Sequence, residues 1–365
     1  MSTKKNIILL IAEIHKSGGT ERAVINLAND LVEIGNKVKI VSLFTIDQNP
    51  FYSLSPLIKV DQLGISFEKT LTKRVIFGIR NVHTKLKKYY NSHQDEIFIA
   101  TDPFISFVIS MLHGKRDAKR VIVCEHMALS ISSRFSIFFR KVLFKRANAI
   151  VVLTQRDKDF MQQLLPTLHI YEIPNRITYV SDIAPIPNSK VLIAIGRLEL
   201  QKNFSELISI FETINKDNKD WRLILVGDGS LRNELDLQIK QLELAQYVQI
   251  IPVCHDVKSL FRDSAIYVMT SIYEGFPMVL LEAMSSQLPI VAYDCPNGPR
   301  ELIENGTTGF VIDMHDKEEF ASKTLSLIND IGLRIQFGRN AKKNAETKYS
   351  KEIILAEWEK LFKDL

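Results

Sequence analysis

The feature that most constrains this chain is a rhythm. Short β-branched apolar runs alternate with amphipathic helical patterns along 365 residues. Parallel strands need a crossover between them, usually a helix, so this alternation predicts α/β layers. Runs at 5–12, 38–43, 96–100, 120–124 and 149–153 read as strands of one sheet. Runs at 190–195, 221–226, 247–251, 265–270 and 288–292 restart the pattern. Helices are expected at 21–34, 203–215, 231–242 and 351–365; the last carries Ile354, Trp358, Leu361 and Phe362 at helical spacing. The strands are apolar nearly throughout, as strands covered on both faces must be.

Proline breaks the texture between 165 and 190, and no long periodic segment crosses that stretch. The expected organisation is a Rossmann-like domain at 1–175, a second at 188–350, and a helix at 351–365 returning to the first. The chain's length suits two domains. Open parallel sheets bind ligands beyond the carboxyl ends of their strands. Two such sheets facing across a cleft would house a nucleotide-linked substrate.

Composition narrows the compartment and the partners. The longest apolar candidate for a span, Phe104–Leu112, is half of the roughly 18–20 residues a crossing helix needs. Lys4 and Lys5 precede an apolar run at 7–12, which is short, lacks a cleavage site and reads better as a strand than as a leader. Cys124, Cys254 and Cys295 are scattered and odd in number, so a cytoplasmic home is expected. The net charge of +5 hides an asymmetry. Residues 1–180 hold 26 Lys and Arg against 15 Asp and Glu, a net of +11; the rest of the chain has a net of −6. Opposite signs suggest different partners for the two halves. Nucleic acid is disfavoured because no known binding module is present.

Several short segments carry chemistry. Gly18 and Gly19 lie between a predicted strand and a helix, where paired glycines serve a tight turn or a close approach to an anion. Gly196-Arg197 follows the strand at 190–195, and Lys202 precedes the next helix. Two cations on one loop suit a diphosphate, above all the charge that grows as a nucleoside diphosphate departs. Glu274-Gly275-Phe276-Pro277-Met278-Val279 leads into a helix carrying Glu282. Pro277 fits a first helical turn. Amides there would face an anion, and Glu274 and Glu282 could accept from hydroxyls at either end of an extended ligand. Glu282 sits in an apolar run, where an unpaired carboxylate would be costly. Asp157-Lys158-Asp159 reads as helix N-terminal charge, not a metal site, and His15, His113 and His126 have no ligand spacing.

The pair Glu274 and Glu282 forms an E-x7-E motif. Together with Gly18-Gly19, Gly196-Arg197 and Lys202, it resembles the retaining glycosyltransferases of family four, of the GT-B fold, over nearly the whole chain. The resemblance implies that Glu282 holds ribose hydroxyls and Glu274 contacts the donor sugar. Arg197 and Lys202 would neutralise the leaving diphosphate, and Gly18-Gly19 would approach the phosphates and the sugar. His126 matches a histidine near the reacting centre, and backbone near Val253 would meet the base. Pro252 and Gln287 stand where the family often has glycine; the first bears on the Val253 contact. The segment 294–301 resembles members that build capsules, O-antigens and lipid-linked glycans.

Residues 134–146 carry five cations and no acid. Phe135, Phe138, Phe139, Val142 and Leu143 can share one helical face. Arg134, Arg140, Lys141, Lys145 and Arg146 would line the other, giving an interfacial helix for an anionic membrane or a core helix with a wet basic side. Arg74, Lys85, Lys87, Lys88, Lys115, Arg116, Lys119 and Arg120 add charge to the same half.

The resulting expectation is a metal-independent, retaining hexosyltransferase without a cofactor, peripheral on the inner face of the cell membrane. It would move a hexose or N-acetylhexosamine from a UDP-sugar to a polyprenyl-diphosphate-linked saccharide in cell-surface polysaccharide assembly. A nucleotide-sugar epimerase of the same fold and a non-catalytic sugar-binding partner are the alternatives.

Overall fold

The structure, a computed structural model, describes residues 4–65, 72–93, 95–114, 120–253 and 256–365, without the side chains of residues 72–79 and 130. The side chain of Arg74, and Lys115, Arg116, Lys119 and Cys254, lie outside the described residues. The chain forms two compact units, one of Met1–Arg176 with Lys351–Leu365, the other of Ile177–Ser350.

In the first unit the elements run β1 (Asn6–Ile11), α1 (Gly19–Glu33), β2 (Lys37–Ser42), β3 (Lys59–Gln62), α2 (Thr72–Asn91), β4 (Ile97–Ala100), α3 (Pro103–Leu112), β5 (Arg120–Glu125), α4 (Arg134–Leu143), β6 (Ala149–Val152), α5 (Gln155–Leu164) and β7 (Ile170–Glu172). The strands pair in the order β3-β2-β1-β4-β5-β6-β7. Every pairing is parallel. The chain winds outward from β1 to β3, then returns to start again at β4, so the sheet's direction switches between β1 and β4.

The second unit holds β8 (Val191–Ile195), α6 (Phe204–Asn215), β9 (Arg222–Val226), α7 (Arg232–Gln241), β10 (Val248–Ile251), α8 (Val257–Arg262), β11 (Ile266–Met269), α9 (Met278–Ser285), β12 (Ile290–Tyr293), α10 (Pro299–Leu302), β13 (Gly309–Ile312), α11 (Lys317–Asn329) and α12 (Ile331–Tyr349). Its order, β10-β9-β8-β11-β12-β13, repeats the same winding, all parallel, with the switch between β8 and β11.

Burial explains why these segments are strands. β4, β6, β11 and β12 are buried at every position. Helices then cover both faces. In the first unit, Val24, Ile25, Ala28 and Leu31 of α1 join Ile7, Leu9 and Ile40 in one core. The other face gathers Ile8, Leu10, Phe98 and Ile109. The last helix, α13 (Lys351–Asp364), contributes Ile354, Leu355, Trp358, Leu361 and Phe362 to the α1 side of the first unit. Tyr171 donates to Asp364 at 3.0 Å, and Arg120 to the Leu365 carbonyl at 3.2 Å.

In the second unit α12 packs along α9. The approach is close because position 338 lacks a side chain: a methyl at Gly338 would land on the Gln287 carbonyl oxygen. Gln287 itself takes the left-handed conformation, φ 60°, at the turn that follows α9. A glycine there would relieve a strain that the glutamine tolerates. Trp221 belongs to the core of the second unit and Trp358 to that of the first. In a Trp358→Phe background, Gly338→Ala should therefore lower the denaturant midpoint reported by Trp221 fluorescence, by about 1–3 kcal/mol of overpacking. An unchanged midpoint would show that α12 can back away from α9 at no cost.

Candidate functional site

The site in the second unit grows from the switch between β8 and β11, where two loops leave neighbouring strand ends in opposite directions. After β8 comes Gly196-Arg197, then a 3-10 turn at Leu200–Lys202, then Asn203 in the left-handed conformation, φ 52°, before α6. Asparagine accepts that conformation more readily than most residues. After β11 come Thr270 to Pro277, then α9. The two loops are stitched together. The Thr270 hydroxyl lies 3.2 Å from the Lys202 carbonyl and 3.1 Å from that of Asn203. The Ile272 amide donates to the Gln201 carbonyl at 2.8 Å, and the Gln201 side chain donates to the Tyr273 carbonyl at 2.9 Å.

This stitching brings Lys202 to Glu274. Nζ lies 2.6 Å from Oε1, with the two side chains only 15% and 8% exposed. The lysine stem crosses Gly196 so closely that a Cβ there would sit 2.7 Å from Cε. Gly196 is thus a passage for the lysine. On the far side, the Glu274 amide donates to the Pro296 carbonyl at 3.1 Å. A Cβ on Gly298 would stand 3.2 Å from the Glu274 Cβ and 3.3 Å from Pro277, so the 294–298 loop lies against both. Cys295 is buried beside the pair; burial, then the Glu274 charge, pushes its thiol up to about 12, so it is an inert filler.

Arg197 takes a different course. It is exposed and donates to the Gln201 side chain at 3.0 Å. One cation is therefore held in a buried pair, while the other stands in solvent on the same loop. Gly275 and Val279 are half-buried, and Phe276, Pro277 and Met278 are buried. Pro277 caps α9 instead of opening its first turn. The amides of Met278 and Val279 precede the first bond back to the Pro277 carbonyl, made by Leu280 at 3.0 Å. Glu282 is 1% exposed. Tyr267 is pushed well above its ordinary value by burial, then by Glu274 and Glu282, which places both carboxylates near one phenol. Val253 is exposed, and its amide donates to Asp228 at 3.3 Å.

Sequence reasoning missed the support behind Asn203. Glu206 accepts from Asn203 at 2.8 Å, from the Tyr293 hydroxyl at 2.8 Å and lies 3.0 Å from His315 Nδ1. Burial pushes its carboxyl up, but these hydrogen bonds outweigh it and hold the group below the usual range. The signal available was a glutamate in the first turn of a helix, common enough to pass for dipole charge.

The first unit gathers different residues at its own strand ends. Gly18 caps α1 with extended backbone. The Glu21 carboxylate folds back over it, where a Cβ on residue 18 would collide with Oε2. Burial raises that carboxyl above its ordinary range, and the Glu13 and Asp102 charges push the same way. The Gly18-Gly19 turn thus already carries an anion of its own. His126 follows β5 and is half-buried, and its Nδ1 is buried with no hydrogen-bond partner among the described residues. Burial pushes its imidazole down to about 4. Asp157 is buried in the first turn of α5, within 3.4 Å of the Leu129 amide.

The basic helix α4 divides its residues in a way its sequence did not reveal. Phe135, Phe138 and Val142 are 72%, 59% and 48% exposed, with Arg134, Lys141, Lys145 and Arg146 exposed around them. Phe139 and Leu143 turn partly inward, and Phe139 meets Phe107 at 6.0 Å. Arg140, expected on the outer surface, is instead 2% exposed. Its guanidinium is drawn inside by Glu125, since a buried carboxylate needs a cation. Arg146 donates to the Met111 carbonyl at 3.1 Å. Among the described residues, no helix is long and apolar enough to cross a membrane.

Residues 178–344 match the model of the family described as glycosyl transferases group 1. The amylovoran biosynthesis glycosyltransferase AmsD of Erwinia amylovora is 30% identical over 362 residues, covering 96% of this chain and 98% of its own. A Campylobacter jejuni alpha-1,4-N-acetyl-D-galactosaminyltransferase, named for the acceptor GalNAc-alpha-(1->4)-GalNAc-alpha-(1->3)-diNAcBac-PP-undecaprenol, is 26% identical over 370 residues, covering 98% of each chain. Among solved structures, S. aureus TarM in complex with UDP superposes with a TM-score of 0.83 at 18% identity, over 98% of this chain and 99% of that one. The pneumococcal O-GlcNAc transferase GtfA, solved with UDP and GlcNAc, gives 0.82 at 15% identity, over 99% of both. Sequence likeness over the full length and the two doubly wound parallel sheets agree: the chain belongs to the glycosyl transferases group 1 family and is a glycosyltransferase of the GT-B fold.

Proposed function

We propose that this glycosyltransferase moves a hexose or N-acetylhexosamine from a UDP-sugar, with retention and without a metal, to a polyprenyl-diphosphate-linked saccharide at a membrane surface, in cell-surface polysaccharide assembly. The observation that carries the reading is the Lys202–Glu274 pair at the β8/β11 switch, with Arg197 on the same loop and the first amides of α9 beside it. The names of the Erwinia and Campylobacter relatives support the pathway class, and UDP in the structural relatives supports the donor.

In this reading Glu274 exchanges Lys202 for hydroxyls of the donor sugar, which frees the ammonium for the diphosphate. Arg197 swings to the same charge, and Glu282 takes the ribose. The acceptor oxygen bonds to the anomeric carbon as the sugar–phosphate bond breaks on the same face. The hydroxyl proton passes to the departing phosphate oxygen, so no protein base is needed. Stabilising the leaving group is then the largest contribution. Glu21, seated over Gly18, suits sugar hydroxyls better than phosphate. The exposed stripe of α4 would rest on the bilayer.

Three expectations follow from these assignments. Lys202→Ala and Arg197→Ala should each lower kcat with UDP-sugar by about 100-fold or more, while the donor KM moves only a fewfold. Equal losses in both parameters would place these cations in ground-state binding instead. A neutral imidazole at His126 means that no acid limb of kcat/KM near pH 6.5 should belong to it; its own limb should fall near pH 4. A limb near 6.5 that vanishes in His126→Ala would refute the neutral state. Finally, Lys141→Glu with Lys145→Glu should weaken sedimentation with anionic vesicles by about tenfold or more, at roughly 1 kcal/mol per basic residue, and leave neutral vesicles unaffected.

A further inference from the structure

The misplaced arginine of α4 has a definite task. Arg140 Nε donates to Glu125 Oε1 and Nη2 to Glu125 Oε2, both at 2.9 Å. Neither residue is more than 2% exposed. Nη1 turns to the Ser136 hydroxyl one helical turn back, and the guanidinium lies 5.8 Å from the Phe107 ring. All three faces of the fork are thus occupied, which fixes the plane of the Glu125 carboxylate.

Such a pair is a poor device for stability alone. Burying two charges costs about as much as their attraction returns, and a well-packed apolar pair of similar volume often does as well or better. What the fork supplies is orientation. Glu125 is the last residue of β5, opposite Val152 of β6, and His126 follows it directly. Among the described residues, the His126 ring has no hydrogen bond at Nδ1 to steer it. The ring stands on the backbone at the end of β5, and that end is anchored through Glu125. Asp102 and Asp157 lie close enough to push the Glu125 carboxyl up further, so Arg140 also offsets crowding among carboxylates at the ends of β4, β5 and β6.

We infer that Arg140 is a positioning residue for the transfer reaction: through its bidentate bond to Glu125 it sets the placement of His126 from the same helix that presents Phe135, Phe138 and Val142 to the outside. The inference rests on the proposed role of His126. It adds that the outward face of α4 and the reacting end of β5 belong to one rigid piece.

The test uses the full chain. Glu125→Leu with Arg140→Met keeps the volume and removes both charges. Its melting temperature should stay within a few degrees of the parent, while kcat falls about tenfold and donor KM changes less than about twofold. Placed on His126→Ala, the same double change should cost less than about twofold more, because its effect passes through the missing ring. Arg140→Lys, which keeps the charge and loses the fork, should fall between. Full kcat in the double variant where His126→Ala loses kcat, or a loss that multiplies onto His126→Ala, overturns the inference. The His126 ring resonances in NMR separate it from the reading beneath. They should move in the double variant whatever turnover does; unchanged resonances sink the positioning role. If instead they move and His126→Ala retains full kcat, positioning stands and the assigned role of His126 falls.

Discussion

A parallel strand buried on both faces has nowhere to put a polar side chain except at its ends. That constraint governs this molecule. At the β8/β11 switch it collects a lysine and a glutamate from loops that begin on adjacent strands and run apart. Thr270 and Gln201 clamp the loops together, and the lysine stem passes over Gly196 to meet the glutamate. Glu206, bonded to Asn203, holds the backbone turn that follows Lys202. The two charges are thereby held against each other at the strand ends. An enzyme that must stabilise a departing dianion gains from a cation already in place.

The two units place different charges at their strand ends. The second keeps a cation at its switch point although its sequence is acidic overall. The first is strongly basic overall, yet Glu13, Glu21 and Asp102 influence one another at the ends of its strands. Net charge by sequence half therefore describes the outer surface and says little about the carboxyl ends of the sheets. On α4 and the turn after it, Arg134, Lys141, Lys145 and Arg146 stand on the outward side.

Most of the central strands were legible in the sequence because β-branched apolar runs of five or six residues have few other homes. The short or half-exposed strands β3, β7 and β13 were not, since their identity comes from pairing with a neighbour. Lys202 and Glu274 could be picked out by residue type and position, but their contact depends on two loops 72 residues apart. Arg140 was misread for a simple reason. Helical periodicity places it on a side of α4, and only the distant Glu125 decides whether that side is wet or buried. Glu21 over Gly18 was within reach, because a glutamate three residues after a helix cap can fold back onto it.

The return of α13 to the first unit makes that unit discontinuous along the chain. Residues 351–365 leave the ribosome only after every residue of the second unit has been made. Until then Ile7, Leu9, Val24 and Leu31 lack the apolar wall that Leu355, Trp358 and Phe362 supply. During synthesis, then, the later half can be finished while the earlier half remains open, an inversion of the usual N-terminal-first order. A product arrested before α13 would join a complete second unit to a first unit with an unclosed core.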